Sequence, residues 1–101
     1  MQVTTQHTGD TITIVLEGRF DFSAHRVFRG QYEASLQVPE VKHVSLNMAK
    51  VEYLDSSALG MLLLLNEGAR ANNIQVAIIN CPENVMKILN IANFGRIFKI
   101  S

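Results

Sequence analysis

Asp55-Ser56-Ser57 places three oxygen-bearing side chains in a row, a few residues ahead of the apolar run Met61 to Leu65. Asp and Ser are the residue types whose side chains accept hydrogen bonds from the first free N–H groups of a helix. Upstream, Val44-Ser45-Leu46-Asn47-Met48 alternates apolar and polar as a strand does. The stretch therefore reads strand, short loop, polar cap, helix. A hydroxyl at this place sits where backbone N–H groups and the positive end of a helix dipole converge, which suits accepting a phosphate and holding it afterwards. The same residues also make an ordinary cap with no further duty, so their surroundings have to separate the two readings.

Those surroundings follow from the pattern along the chain. Extended segments are expected over 2–7 and 11–17, joined by Thr8-Gly9-Asp10, with Gly18 closing the second. Ser23 is expected to cap a helix reaching about Gln37, in which Ala24, Phe28, Tyr32 and Leu36 recur every fourth residue. Gly30 weakens that helix by roughly 1 kcal/mol relative to Ala. A third strand is expected over 42–48, a second helix over Ser57 to Asn72, and a fourth strand over 74–79. A third helix opens at Pro82-Glu83 and stops near Ile91, and a last strand covers 97–100. The third strand is apolar on one face only, so the helices should lie mainly on one side of the sheet. The order β-β-α-β-α-β-α-β predicts one α/β domain over 1–101, a mostly parallel sheet with an N-terminal β-hairpin. Sites in such units form at the carboxyl ends of strands. Asp21 follows the second strand and Asp55-Ser56-Ser57 follows the third, so the fold brings them to one rim.

Composition bounds the function. Of 101 residues 48% are apolar and 18% charged, which fits a compact domain with a real core. Nine basic and nine acidic residues cancel, which argues against nucleic-acid binding, where phosphate neutralisation dominates affinity. Neither a signal-peptide core nor a membrane-length apolar run is present, so a cytoplasmic protein with no membrane partner is expected. The lone Cys81 forms no internal disulfide, and His7, His25 and His43 lie on separate segments, so neither a metal nor a cofactor is expected.

Three stretches together match a known pattern: Gly18-Arg19-Phe20-Asp21, Leu54-Asp55-Ser56-Ser57-Ala58-Leu59-Gly60, and Asn90-Ile91-Ala92-Asn93-Phe94-Gly95-Arg96-Ile97-Phe98. In order and spacing, over essentially the whole chain, they resemble a STAS domain of the bacterial anti-sigma factor antagonist family. The resemblance implies a non-enzymatic partner switch in transcription regulation. The unphosphorylated antagonist binds a kinase-like anti-sigma factor, phosphorylation of the second Ser of Asp-Ser-Ser releases it, and a metal-dependent serine phosphatase resets it. Carried over, Ser57 is the phosphoacceptor, Asp55 and Ser56 shape its loop, and Asp21 shares its surface. The partner surface is expected to include Asp21, Asp55, Ser56, Ser57, Ala58, Gly60, Met61 and Leu64. The family usually has another helix after the last strand, whereas these residues end at Ile100-Ser101. Apolar surface left there is expected to permit self-association.

Two other classes compete. A serine hydrolase needs a base beside Ser57 and an oxyanion hole, and Ala58-Leu59 stands where a nucleophile elbow has Gly. A nucleotide hydrolase needs a Gly-rich phosphate loop with Lys, which is absent. A constitutive STAS-like interaction subunit of a larger assembly, with Ser57 only a cap, remains the alternative. Intact mass of protein from its native cells separates it from the switch.

Overall fold

The computed structural model describes residues 1–101. Strands β1 (Gln2–Thr8) and β2 (Thr11–Phe20) form an antiparallel hairpin across Gly9-Asp10. Helix α1 (His25–Leu36), strand β3 (His43–Leu54), helix α2 (Ser56–Ala71), strand β4 (Gln75–Ile79), helix α3 (Glu83–Ile91) and strand β5 (Lys99–Ile100) follow. The sheet runs β1-β2-β3-β4-β5, and all pairings after the hairpin are parallel. Strand order follows chain order, so successive right-handed crossovers carry the helices to the same face.

That face holds the one core cluster of 26 residues. Ile12, Ile14 and Leu16 of β2, Val44, Leu46 and Met48 of β3, and Ile78 of β4 supply the sheet side. The opposite face carries Thr13, Ser45 and Ala77 in register and stays open. Helix α1 buries Phe28, Tyr32 and Leu36 at intervals of four, and Phe28 packs in tilted ring contacts between Phe20 at 4.9 Å and Tyr32 at 5.3 Å. Helix α2 buries Ala58, Met61, Leu62, Leu65 and Ala69. Each fully buried Leu or Met contributes about 1.5–3 kcal/mol, so this stripe fixes how α2 lies on the sheet.

The single-domain α/β architecture expected from the sequence is the one observed; several boundaries differ for physical reasons. β2 passes through Gly18 instead of ending there, because Gly18 at φ 103 allows an irregularity that a side-chain-bearing residue resists. β3 runs on to Leu54, beyond the expected Met48. Its register slips between Val15/Asn47 and Glu17/Lys50, so the alternation breaks while the hydrogen-bonded ladder continues. Ser23 is not the first cap. Asp21 caps a 3-10 turn over Phe22–Ala24 that leads into α1. β5 is two residues long, because Phe94–Arg96 forms a second 3-10 turn and the Ile97 and Phe98 N–H groups bond back to the Phe94 carbonyl.

Candidate functional site

The extension of β2 and β3 builds the rim. Phe20 pairs with Leu54, and the Asp55 N–H donates to the Phe20 carbonyl at 3.2 Å, so Asp21 and Asp55 emerge side by side from neighbouring parallel strands. Both adopt the same extended backbone, φ −127 and ψ −170 for Asp21, φ −110 and ψ −174 for Asp55. Both cap the segment that follows. The Asp55 carboxylate accepts from the Ala58 N–H at 3.0 Å, and the Asp21 carboxylate accepts from the Ser23 N–H at 3.0 Å and from the Ser23 hydroxyl. From the other side, the Asn84 side-chain amide donates to the Glu52 carbonyl at 3.0 Å, tying the start of α3 to the part of β3 that β4 does not cover.

Ser56 and Ser57 are the first two residues of α2, Ser56 exposed and Ser57 half-buried. Asp55 alone supplies the side-chain cap, so Ser56 has no capping duty and neither Ser hydroxyl is engaged within the chain. The cap therefore does not distinguish the two hydroxyls.

Two members of the expected partner surface lie elsewhere. Met61 is only 4% exposed and Ala58 is fully buried, both on the sheet-facing stripe of α2. The expectation that they lie on the partner surface is corrected: five consecutive apolar residues from Met61 to Leu65 do not say which side of the helix faces the sheet, and Met61, one turn after Ala58, is on the core side. The solvent side is Gly60 together with Leu63 and Leu64, and Leu64 is 48% exposed.

Four residues that pattern reading missed stand on this rim. Phe22 is 73% exposed and stacks on His25 at 6.1 Å, 13° from parallel. The Arg19 guanidinium lies 4.7 Å above the Tyr53 ring, with its Nε 3.7 Å from Asp21 Oδ2. Arg19 and Tyr53 are register partners on the open side of the irregularity at Gly18. Exposed aromatic and Arg side chains of this kind are the types that dominate binding energy at interfaces.

The Ser23 hydroxyl bonded to Asp21 holds its carboxyl below the usual carboxylate range, helped by the Ser23 N–H and Arg19 and opposed by desolvation. A depressed folded pKa stabilises above the unfolded value, and that contribution disappears as pH falls through the folded one. Ser23→Ala should accordingly raise the Asp21 titration midpoint, followed by the carboxyl carbon shift in NMR. An unmoved midpoint would mean that the Ser23 N–H and Arg19, both retained in that variant, set it.

No group of three or more His, Cys, Asp or Glu residues converges as a metal site, and no helix is long and apolar enough to cross a membrane.

A five-stranded sheet with β1 antiparallel and helices on one face, with Asp21 and Asp55 side by side ahead of α1 and α2, is a STAS architecture. The chain belongs to the STAS domain family, matching the family described as "Mlab, STAS domain" over residues 3–100. It is 50% identical to the STAS-domain containing protein PA14_20770 of Pseudomonas aeruginosa (strain UCBPP-PA14), over 92% of this chain and 90% of that one. It is 24% identical to the anti-sigma F factor antagonist of Paenibacillus polymyxa, over 99% of this chain and 86% of that one. Among solved structures, the anti-sigma factor antagonist SpoIIAA in its unphosphorylated form superposes with TM-score 0.77 at 19% identity, covering 99% of this chain and 87% of that one. The phosphorylated form of SpoIIAA, described as a Bacillus cell fate determinant, superposes with TM-score 0.75.

Proposed function

We propose that the chain is an anti-sigma factor antagonist that works as a phospho-regulated partner switch. The unphosphorylated rim binds a kinase-like anti-sigma factor; phosphorylation of Ser57 releases it, and a serine phosphatase restores binding. The observation carrying this reading is a seryl hydroxyl in the first turn of α2, free of capping duty because Asp55 takes it, on the rim shared with Asp21. Ser57 is chosen over Ser56 by the family resemblance alone, since the more exposed residue is Ser56.

The electrostatics support a switch that leaves the fold intact. A seryl phosphate adds about −1.5 to −2 charges, at a helix end carrying roughly +0.5. Asp55 and Asp21 beside it repel the phosphate and keep it from being neutralised locally. A partner packed over this place has to bury that charge, and an uncompensated buried charge costs several kcal/mol. The superposition of this fold on SpoIIAA in both states agrees with a switch that does not unfold the domain.

The deciding experiment incubates the protein with its cognate kinase and ATP, then sequences the phosphopeptide and measures partner capture before and after. Phosphate on Ser57 with loss of capture is expected. Phosphate on Ser56, or capture that survives phosphorylation, defeats the reading. Half-burial of Ser57 favours the second reading, a constitutive interaction subunit, in which protein from native cells shows no phosphate-mass species.

Gly60 makes a further prediction. A Cβ built there meets nothing within 4 Å, so the fold does not require glycine in this helix, where Gly costs about 1 kcal/mol relative to Ala. Gly60 follows Ser56 by four residues and Ser57 by three, on the rim side, where a missing side chain lets a partner's backbone approach. Gly60→Ala should raise the melting temperature and weaken partner capture. Gly30 of α1 is equally open, and Gly30→Ala should raise the melting temperature with capture unchanged. Equal capture by both variants would remove Gly60 from the interface.

A further inference from the structure

Away from the rim, a groove of about 550 Å³ lies between α2 and the β4–β5 edge of the sheet. Arg70, Arg96 and Lys99 line it, with Leu63, Ile74, Val76 and Ile97 between them, and no carboxylate belongs to its lining. None of the three cations is in an ion pair; the two in the molecule are Arg19 with Asp21 and Arg29 with Glu33. Glu67, the acid on this half of α2, neither lines the groove nor pairs with Arg70. A neighbouring groove sharing Gln75 adds Lys42 and His43, again without a carboxylate. In a chain whose nine acids balance nine bases, the lining of this groove is positive and partly apolar.

We propose that this groove docks an acidic, amphipathic segment of a protein partner, whose carboxylates meet Arg70, Arg96 and Lys99 while its aliphatic side chains cover Leu63, Val76 and Ile97. Charge complementarity selects the occupant. The groove has no aromatic side chain to hold a nucleotide base. Its cations flank a concavity rather than protruding from a convex surface, which fits a chain segment better than a lipid bilayer. Arg70 is fifteen positions beyond the cap residue Asp55, roughly 22 Å at the helical rise. Leu63, the near end of the groove, is six positions from Ser57, about 9 Å along α2. It is therefore the cationic end at Arg70, Arg96 and Lys99 that stands apart from the Ser57 rim, and a second protein can be held there while the first is exchanged.

The test uses the full chain and a fluorescein-labelled synthetic peptide of Glu and Leu in amphipathic order, with the matching Lys and Leu peptide as control. Amide shifts in NMR should change around Leu63, Arg70, Gln75, Arg96 and Ile97 with the acidic peptide only. By fluorescence anisotropy, Arg70→Glu/Arg96→Glu should bind about tenfold more weakly, and wild-type binding should fall as salt is raised. Lys99→Glu serves if the double variant melts early, and Ser57→Asp should bind the peptide as the parent does. No binding, shifts centred on the Ser57 rim, undiminished affinity in the charge-reversed variants, or preferential binding to phosphatidylglycerol vesicles would overturn the proposal.

Discussion

Ser57→Asp is expected to fold like the parent and to lose its partner by about 100-fold or more. The fold survives because the new carboxylate enters the first turn of α2, where a negative charge is favoured by about 0.3–1 kcal/mol. Repulsion from Asp55 and Asp21 opposes that gain, so the net change in stability should be small. Binding fails because the partner must desolvate a charge that the rim does not pair, and leaving one buried charge unpaired costs about 3–5 kcal/mol. Ser57→Ala should bind as the unphosphorylated protein does and refuse phosphate. Ser56→Ala should still be phosphorylated and, because Asp55 is the cap, should melt with the parent. Asp55→Ala should melt lower, by the roughly 0.5–2 kcal/mol a lost N-cap costs. Isothermal titration against the cognate partner, with thermal melts for each variant, checks the set. Full-strength binding by Ser57→Asp would end the proposed switch.

The element order, the hairpin and the open sheet face were legible because period-two alternation and caps act locally. Ile12, Ile14 and Leu16, and again Val44, Leu46 and Met48, announce one buried face, and all six are buried. The rim was legible as topology: two Asp residues each following a strand in parallel units had to arrive at the same edge. What sequence did not disclose depends on places where the period breaks. The slip opposite Glu17 and the irregularity at Gly18 lengthen β2 and β3 and set Arg19 against Tyr53. A pattern reader sees the broken alternation and ends the strand there. Phe22 lies between the second strand and α1, with no periodicity to say that Phe20 turns inward while Phe22 turns out. The face of α2 was the other failure. Five consecutive apolar residues carry no phase information, so only the packing of α2 on the sheet separates Met61, Leu62 and Leu65 from Leu63 and Leu64.

That phase makes Met61→Asp and Leu64→Asp opposite experiments although three residues separate them. Met61 is 4% exposed on the stripe with Ala58, Leu62 and Leu65. A carboxylate there has no partner within the core, and either its burial or its escape breaks the seat of α2 on the sheet. Truncating a buried Met already costs about 2–5 kcal/mol, and the added charge makes Met61→Asp largely unfolded at room temperature, given total stabilities of about 5–15 kcal/mol. Loss of partner capture by that variant would report the fold and nothing else. Leu64 is 48% exposed, so Leu64→Asp removes little core contact and should shift stability by only about 0.5 kcal/mol. On the rim side of α2, one turn beyond Gly60, it should still abolish capture of the partner, because a new charge is placed under a surface that has to be desolvated. Circular dichroism melts together with pull-down separate the two effects. A folded Leu64→Asp that captures its partner at full strength moves the interface off α2, onto Phe22, Tyr53 and Arg19 alone.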